Sequence, residues 1–273
     1  MPTQAEKGAA FRALHYRDRA FIIPNPWDPG TARLLQSLGF EALATTSAGY
    51  AFSIGKPDGA VDRHAMLAHC AALAAATNLP VSADLENGYA DDPAQVAETI
   101  RMAARTGLAG GSIEDLGSGH SGAPYELEFA AERVRAAAEA AHALPFPFTL
   151  TARSENFLIG RADLHDTISR LQAFQEAGAD VLFAPGLKTE EDIATVVRSV
   201  DRPVNVIMGL QGVPLSLAEL SELGVKRVSV GSALSRAALG EFLRAAHELR
   251  DRGTFTFAEN AVKYAELNAM FSR

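Results

Sequence analysis

The chain has 273 residues, 48% of them hydrophobic and 21% charged, with a formal net charge of −8. That composition supports a large core and excludes a disordered chain, and an acidic surface gives nucleic acid no general electrostatic footprint. There is one cysteine, Cys70, so no intrachain disulfide can form, and no apolar run is long enough to span a membrane. The N-terminal stretch carries charges throughout and lacks the apolar core of a signal peptide. A cytoplasmic protein without a membrane partner is the expectation.

Eight short apolar runs read as strands: near 21–24, 42–46, 80–85, 110–115, 146–152, 179–184, 203–208 and 227–231. Amphipathic runs between them predict helices near 30–38, 62–77, 93–106, 125–142, 163–177, 189–200, 215–222 and 232–250. Asp92 and Pro93 form a start signal, and Gly39, Gly107, Gly178 and Gly224 each stop a periodic stretch. Cys70 falls in an alanine-rich helical pattern and reads as a small core residue. Eight strand–helix units in one chain predict an α/β fold, a (β/α)8 TIM barrel of one domain over 1–273, with an open doubly wound sheet as the rival. Residues 254–273 are left over as a C-terminal helical extension, free to cover the barrel or dock on a neighbouring subunit.

Chemistry in such a barrel sits at the C-terminal ends of the strands. "SADLENGYA" ends the third strand with Asp84 and Glu86, which point to one side if the strand continues through Glu86. The fourth strand ends in Glu114–Asp115, of which alternation lets only one face inward, and the fifth in "TARSEN" with Arg153 and Glu155. Three carboxylates around one point repel unless a cation or protons neutralise them, and hard oxygen donors favour Mg²⁺ or Mn²⁺. Arg153 is a candidate for a substrate carboxylate or phosphonate, or for a salt bridge with Glu155 or Glu114. After strand two, the glycine-containing loop "TTSAGYAFSIGKPDG" offers Ser47, Ala48 and Gly49 to an anion and Asp58 in a turn. Gly209 and Gly231–Ser232 are a weaker candidate phosphate seat.

Together "PNPWDPGTARLLQSLGF", "TTSAGYAFSIGKPDG", "SADLENGYADDPAQVAETI", "GGSIED" and "LTARSENF" resemble the isocitrate lyase/phosphoenolpyruvate mutase superfamily over nearly the whole chain. The resemblance implies a (β/α)8 barrel, often with its last helix exchanged between subunits, in homodimers or homotetramers. It implies that Asp84 binds Mg²⁺ directly, with Glu86 and Glu114 acting through metal-bound waters. It implies that Ser47, Ala48, Gly49 and Arg153 hold a 2-oxo acid or its enolate, and that Asp58 is an acid near the reacting bond. The chain departs from the family at residues 116–126, "LGSGHSGAPYE", which contain neither the lyase cysteine nor the lysine of the phosphonate enzymes. "APGL" and "VIMGLQG" likewise replace polar groups that hold a lyase's second product, so a smaller or more apolar distal half of substrate fits better.

The expected activity is therefore a Mg²⁺-dependent lyase that cleaves a bond beside a small 2-oxo or 2-hydroxy carboxylate, such as oxaloacetate, pyruvate or a 2-oxoglutarate-like acid. Oxaloacetate decarboxylation needs the fewest further groups, since carbon dioxide leaves without a proton. His120, on the glycine-rich loop, is the candidate to deliver one to the enolate. The alternatives are a (2-methyl)isocitrate lyase, a phosphonopyruvate enzyme cleaving a P–C bond, and a 2-oxo-acid binder with little catalysis.

Overall fold

A computed structural model describes residues 1–117 and 123–272 of the chain. Eight strands alternate with helices: β1 (Phe21–Ile23), β2 (Leu43–Ala44), β3 (Val81–Asp84), β4 (Gly110–Glu114), β5 (Thr149–Arg153), β6 (Val181–Phe183), β7 (Val204–Ile207) and β8 (Arg227–Ser229). All pairings are parallel, from β2 through β8 and back to β1. At the remaining seam the Ala44 N–H donates to the Pro24 carbonyl at 3.1 Å, and Asn25 Nδ2 to the Thr45 carbonyl at 2.8 Å. The result is the (β/α)8 barrel that the alternation predicts.

The helices are α1 (Gln4–Leu14), α2 (Pro29–Ser37), α3 (Ser47–Ser53), α4 (Arg63–Ala76), α5 (Pro93–Ala104), α6 (Leu127–His142), α7 (Leu164–Glu176), α8 (Glu190–Arg198), α9 (Leu217–Glu222), α10 (Ala233–Arg252) and α11 (Tyr264–Phe271). Asp92 caps α5 by accepting from the Gln95 N–H at 3.0 Å, with Pro93 beginning the helix. Gly39, Gly107, Gly178 and Gly224 all take positive φ where their helices stop. Cys70 is fully buried in α4.

Two helices were not expected. In α1, Thr3 and Glu6 form a reciprocal capping box, and Phe11, Leu14 and His15 are buried. Phe11 and Leu14 pack with Phe21 and Ile23, so α1 closes the N-terminal end of the barrel. Close approach explains two glycines there. A Cβ on Gly8 would lie 2.1 Å from the Pro147 carbonyl oxygen, and one on Gly110 would lie 2.5 Å from that of Thr149. The other helix, α3, replaces the start of the expected loop after β2: Thr46 caps it by accepting from the Gly49 N–H at 3.1 Å.

One boundary is corrected. The strand expected from residue 146 begins at Thr149, because Pro145 and Pro147 have no N–H to give a ladder. The C-terminal helical extension consists of a short 3₁₀ turn, Thr256–Glu259, followed by α11, which packs on α2.

Candidate active site

The C-terminal mouth of the barrel opens into a cavity of about 380 Å³. Asp84, Glu86, Glu114, Arg153, Glu155, Ser47, Ala48 and Asp58 all line it. Asp84 closes β3 and is held from two sides. Its Oδ2 accepts from the Ser47 hydroxyl at 2.8 Å and the Ser47 N–H at 3.1 Å. Its Oδ1 accepts from Arg153 Nη1 at 2.9 Å. Arg153 also pairs with Glu155 at 2.8 Å and Glu114 at 3.4 Å, and lies over the Phe183 ring at 5.2 Å. Arg153 thus faces the cavity while making the ion pairs with Glu155 and Glu114 that one of its sequence readings expects.

Glu86 reaches the cavity by another route than the one expected. The strand does not continue through it: β3 ends at Asp84, and Glu86 takes φ 49°, a left-handed conformation unusual for glutamate. A turn, not strand alternation, therefore aims the second carboxylate. The turn is held from α6, where the buried Arg133 guanidinium donates to the carbonyls of Asn87, Ala90, Asp91 and Glu114. On β4 the expected choice resolves clearly. Glu114 faces the cavity, whereas Asp115 turns away, pairs with Arg170 at 3.2 Å and accepts from the Glu155 N–H at 2.9 Å.

The electrostatics are crowded. Burial, then the charges of Asp84 and Asp58, push the Glu86 carboxyl up to about 7. Burial and Glu155 raise Glu114 well above the usual carboxylate range. Burial opposes the charge of Arg153, but Glu155, Glu114 and Asp84 outweigh it and raise its pKa. Asp84, Glu114 and Glu155 therefore share one guanidinium with Glu86 beside them, and among the described residues Glu86 Oε1 is buried with no hydrogen-bond donor. An orphaned acceptor in an excess of carboxylates suits a hard cation with its waters. Among the described residues no three His, Cys, Asp or Glu side chains form a ready metal cage, so the donor set suits few direct ligands.

Ser47 and Ala48 line the cavity, but Gly49 does not, since it is buried in α3 with its N–H committed to Thr46. This corrects its place among the anion-facing residues. Asp58 sits at an exposed turn on the rim, accepting from the Gly59 N–H at 3.0 Å. His120 lies outside the described residues. Among the described residues on either side, Leu116 and Pro124 pair, and the Tyr125 N–H donates to the Asp115 carbonyl at 2.8 Å. Gly231 and Ser232 reach the cavity, but Asn25 Oδ1 takes the Val230 and Gly231 N–H groups at 2.9 and 3.0 Å, which leaves little for a phosphate.

Several lining residues escaped the sequence reading. Asn25 ties β1 to β2 and β8. Leu158, Phe183 and Ile207 make the far wall apolar. Arg227 and Asn205 lie at the inner end of the cavity. A polar residue inside an apolar strand run, as in "PVNVIM" and "KRVSVG", was the available signal.

The phosphoenolpyruvate phosphomutase family model matches residues 11–250. The chain belongs to this family, and so to the isocitrate lyase/phosphoenolpyruvate mutase superfamily of carbon–carbon lyases and mutases. A crystal structure of a Burkholderia cenocepacia J2315 protein provisionally described as a lyase/mutase is similar at a TM-score of 0.96. It shares 63% identity and the match covers 99% of this chain and 97% of that one. An uncharacterized protein of Mycobacterium tuberculosis H37Rv is 35% identical over 95% of both chains. An oxaloacetate decarboxylase of Paraburkholderia xenovorans is 29% identical over 81% of this chain and 74% of its own.

Proposed function

We propose that the chain is a Mg²⁺-dependent lyase that cleaves a bond beside a small 2-oxo or 2-hydroxy carboxylate through a pyruvate-type enolate. Oxaloacetate decarboxylation is the reaction that asks least of the site. The observation that carries this reading is the convergence of Asp84, Ser47 and Arg153 on one cavity beside Glu86, whose Oε1 has no donor among the described residues. Similarity to an oxaloacetate decarboxylase supports it.

In this reading Asp84 is the direct ligand of the cation, and Glu86 and Glu114 hold its waters. The cation supplies positive charge against which an enolate's charge is stabilised. Ser47 and Ala48 hold the substrate carboxylate. Arg153 donates to the 2-oxygen as negative charge builds there. The bond to the departing carboxylate breaks, its electron pair passes into the enolate, and carbon dioxide leaves without a proton. The apolar wall of Leu158, Phe183 and Ile207 suits that neutral product. A proton from His120 or from water then completes pyruvate, while Asp58 stands on the rim near the reacting bond.

A cysteine-dependent (2-methyl)isocitrate cleavage fits less well, because residues 116–126 contain no cysteine. The exposed Phe242, Phe255 and Tyr264 support a homodimer or homotetramer. No helix among the described residues is long and apolar enough to cross a membrane, and a cytoplasmic location remains part of the proposal.

The test is release of pyruvate from oxaloacetate, 2-methylisocitrate and phosphonopyruvate, and of glyoxylate from isocitrate, with and without Mg²⁺. Metal-dependent turnover of oxaloacetate is expected. Turnover of none of the four sinks the reading, and tight binding of pyruvate without turnover would make the chain a 2-oxo-acid binder.

A further inference from the structure

Arg227 begins β8 and lines the inner end of the same cavity, yet it is only 5% exposed. Its partners are all neutral. Nε donates to Asn205 Oδ1 at 2.9 Å, Nη2 to Thr151 Oγ1 at 2.9 Å, and Nη1 to His15 Nε2 at 3.3 Å. His15 supplies no charge: burial, reinforced by Arg227, pushes its imidazole down to about 3. Its Nδ1 contacts the Phe11 carbonyl at 2.9 Å, which fixes Nδ1 as the donor and Nε2 as the acceptor for Arg227.

The other buried arginines differ. Arg153 has three carboxylates, Arg170 has Asp115 and Asp166, and Arg133 has four backbone carbonyls. Arg227 has no carboxylate among the described residues, and burial pushes its guanidinium down, to about 9, so it stays cationic at neutral pH. A guanidinium carries five N–H donors, and three are used. A buried cation without an anion is costly unless a ligand brings one. Small residues, Ala44, Ser82, Ala83 and Ser112, line the same cavity.

We propose that this inner end is a second anion subsite, which takes the distal carboxylate of a dicarboxylic 2-oxo or 2-hydroxy acid held at its other end by Ser47 and Arg153. The inference rests on the reading of the mouth as a 2-oxo-acid site. Between the two ends the ligand's carbon chain passes Phe183 and Ile207. A carboxylate held in an ion pair is a poor source of carbon dioxide, because the pairing is forfeited with the charge. The subsite therefore favours acids with at least one more carbon than oxaloacetate. Oxaloacetate would be decarboxylated from a pose that leaves Arg227 unpaired.

Calorimetry on the full chain with saturating Mg²⁺ tests this with 2-oxoglutarate and 2-oxovalerate, which share a five-carbon chain and differ in the second carboxylate. The wild-type chain is expected to bind 2-oxoglutarate at least about tenfold more tightly. Arg227→Met should abolish that preference while changing 2-oxovalerate affinity little, and Arg227→Lys should retain part of it. Should the methionine variant not fold, formate competition on the wild type decides: formate should weaken 2-oxoglutarate and spare 2-oxovalerate. Equal binding of the two acids by the wild type overturns the subsite and leaves the mouth reading intact. Binding of neither sinks both. Strengthening of 2-oxovalerate by formate would assign the inner end to a free anion and overturn the distal-carboxylate assignment.

Discussion

Arg153 Nη1 donates to Asp84 Oδ1 at 2.9 Å, so the residue proposed to hold the cation is tied to the one proposed to hold the 2-oxo acid. Ser47 grips the other oxygen of Asp84 at 2.8 Å. Loading the site must redistribute these bonds. Asp84→Ala is expected to lower Mg²⁺-dependent turnover at least roughly a hundredfold, with the fold intact by circular dichroism. Arg153→Lys keeps the charge but loses the planar fork, and should cost roughly tenfold or more in kcat/KM. Full activity in either variant would remove that residue from the proposed chemistry.

Cation binding should also appear without any substrate. The metal-stripped chain is expected to gain stability on adding Mg²⁺, by about 2.7 kcal/mol when the cation is at a hundred times its Kd. Thermal unfolding in chelator and in Mg²⁺ measures it. The Asp84→Ala chain should show much less of the gain. An equal shift in both proteins would place the cation elsewhere.

Asp115 and Arg170 form an ion pair whose side chains are 1% and 5% exposed. Asp115→Ala leaves the buried Arg170 guanidinium with only Asp166 and the Tyr125 carbonyl and frees the Glu155 N–H. It should cost about 3–5 kcal/mol in urea unfolding. Asp115→Asn, which still offers an oxygen to that N–H, should cost less. A loss under roughly 1 kcal/mol for the alanine variant would show that water replaces the pair.

His15 gives a pH signature remote from the mouth. Its folded pKa is depressed from 6.5 to about 3 by burial, then by Arg227. The unfolded chain binds the extra proton, so this contribution is complete above pH 6.5 and is lost as pH falls toward 3. Its share of the loss should reach roughly 2–3 kcal/mol by pH 4.5. His15→Gln should flatten that acid limb while lowering stability at neutral pH. An unchanged slope between pH 6.5 and 4.5 would contradict the assignment.

Cys70 is fully buried, and burial pushes its thiol up to about 12. A thiol reagent should label it only as fast as the chain opens, and at once in denaturant. Rapid labelling of the native protein would contradict the packing of α4.

The strand ends were legible because short apolar runs met charge at fixed places, and Asp84, Glu114 and Arg153 occupy the mouth as that pattern implies. Glu86 was placed there for a different reason, since period-two alternation is blind to a turn at φ 49°. Asn205 and Arg227 were missed because attention to strand ends passes over polar residues deeper in a strand. The capping box of α1 was present as "TQAE", but its charged first turn gave a weak periodic signal. The glycine and serines of α3 favour a loop locally, and the Thr46 cap and burial override that preference.

The helix closing the bottom of the barrel has partners scattered along the whole chain. Gln4 donates to the carbonyls of Ala104 and Leu108, Lys7 to that of Thr77, Gly8 rests on Pro147, and His15 meets Arg227. During synthesis on the ribosome α1 emerges before every strand of the barrel, and its full seat exists only when β8 has followed more than 200 residues later. A helix made before the barrel thus waits for its seat, and a nascent chain halted before residue 227 leaves His15 without the guanidinium it meets in the finished fold.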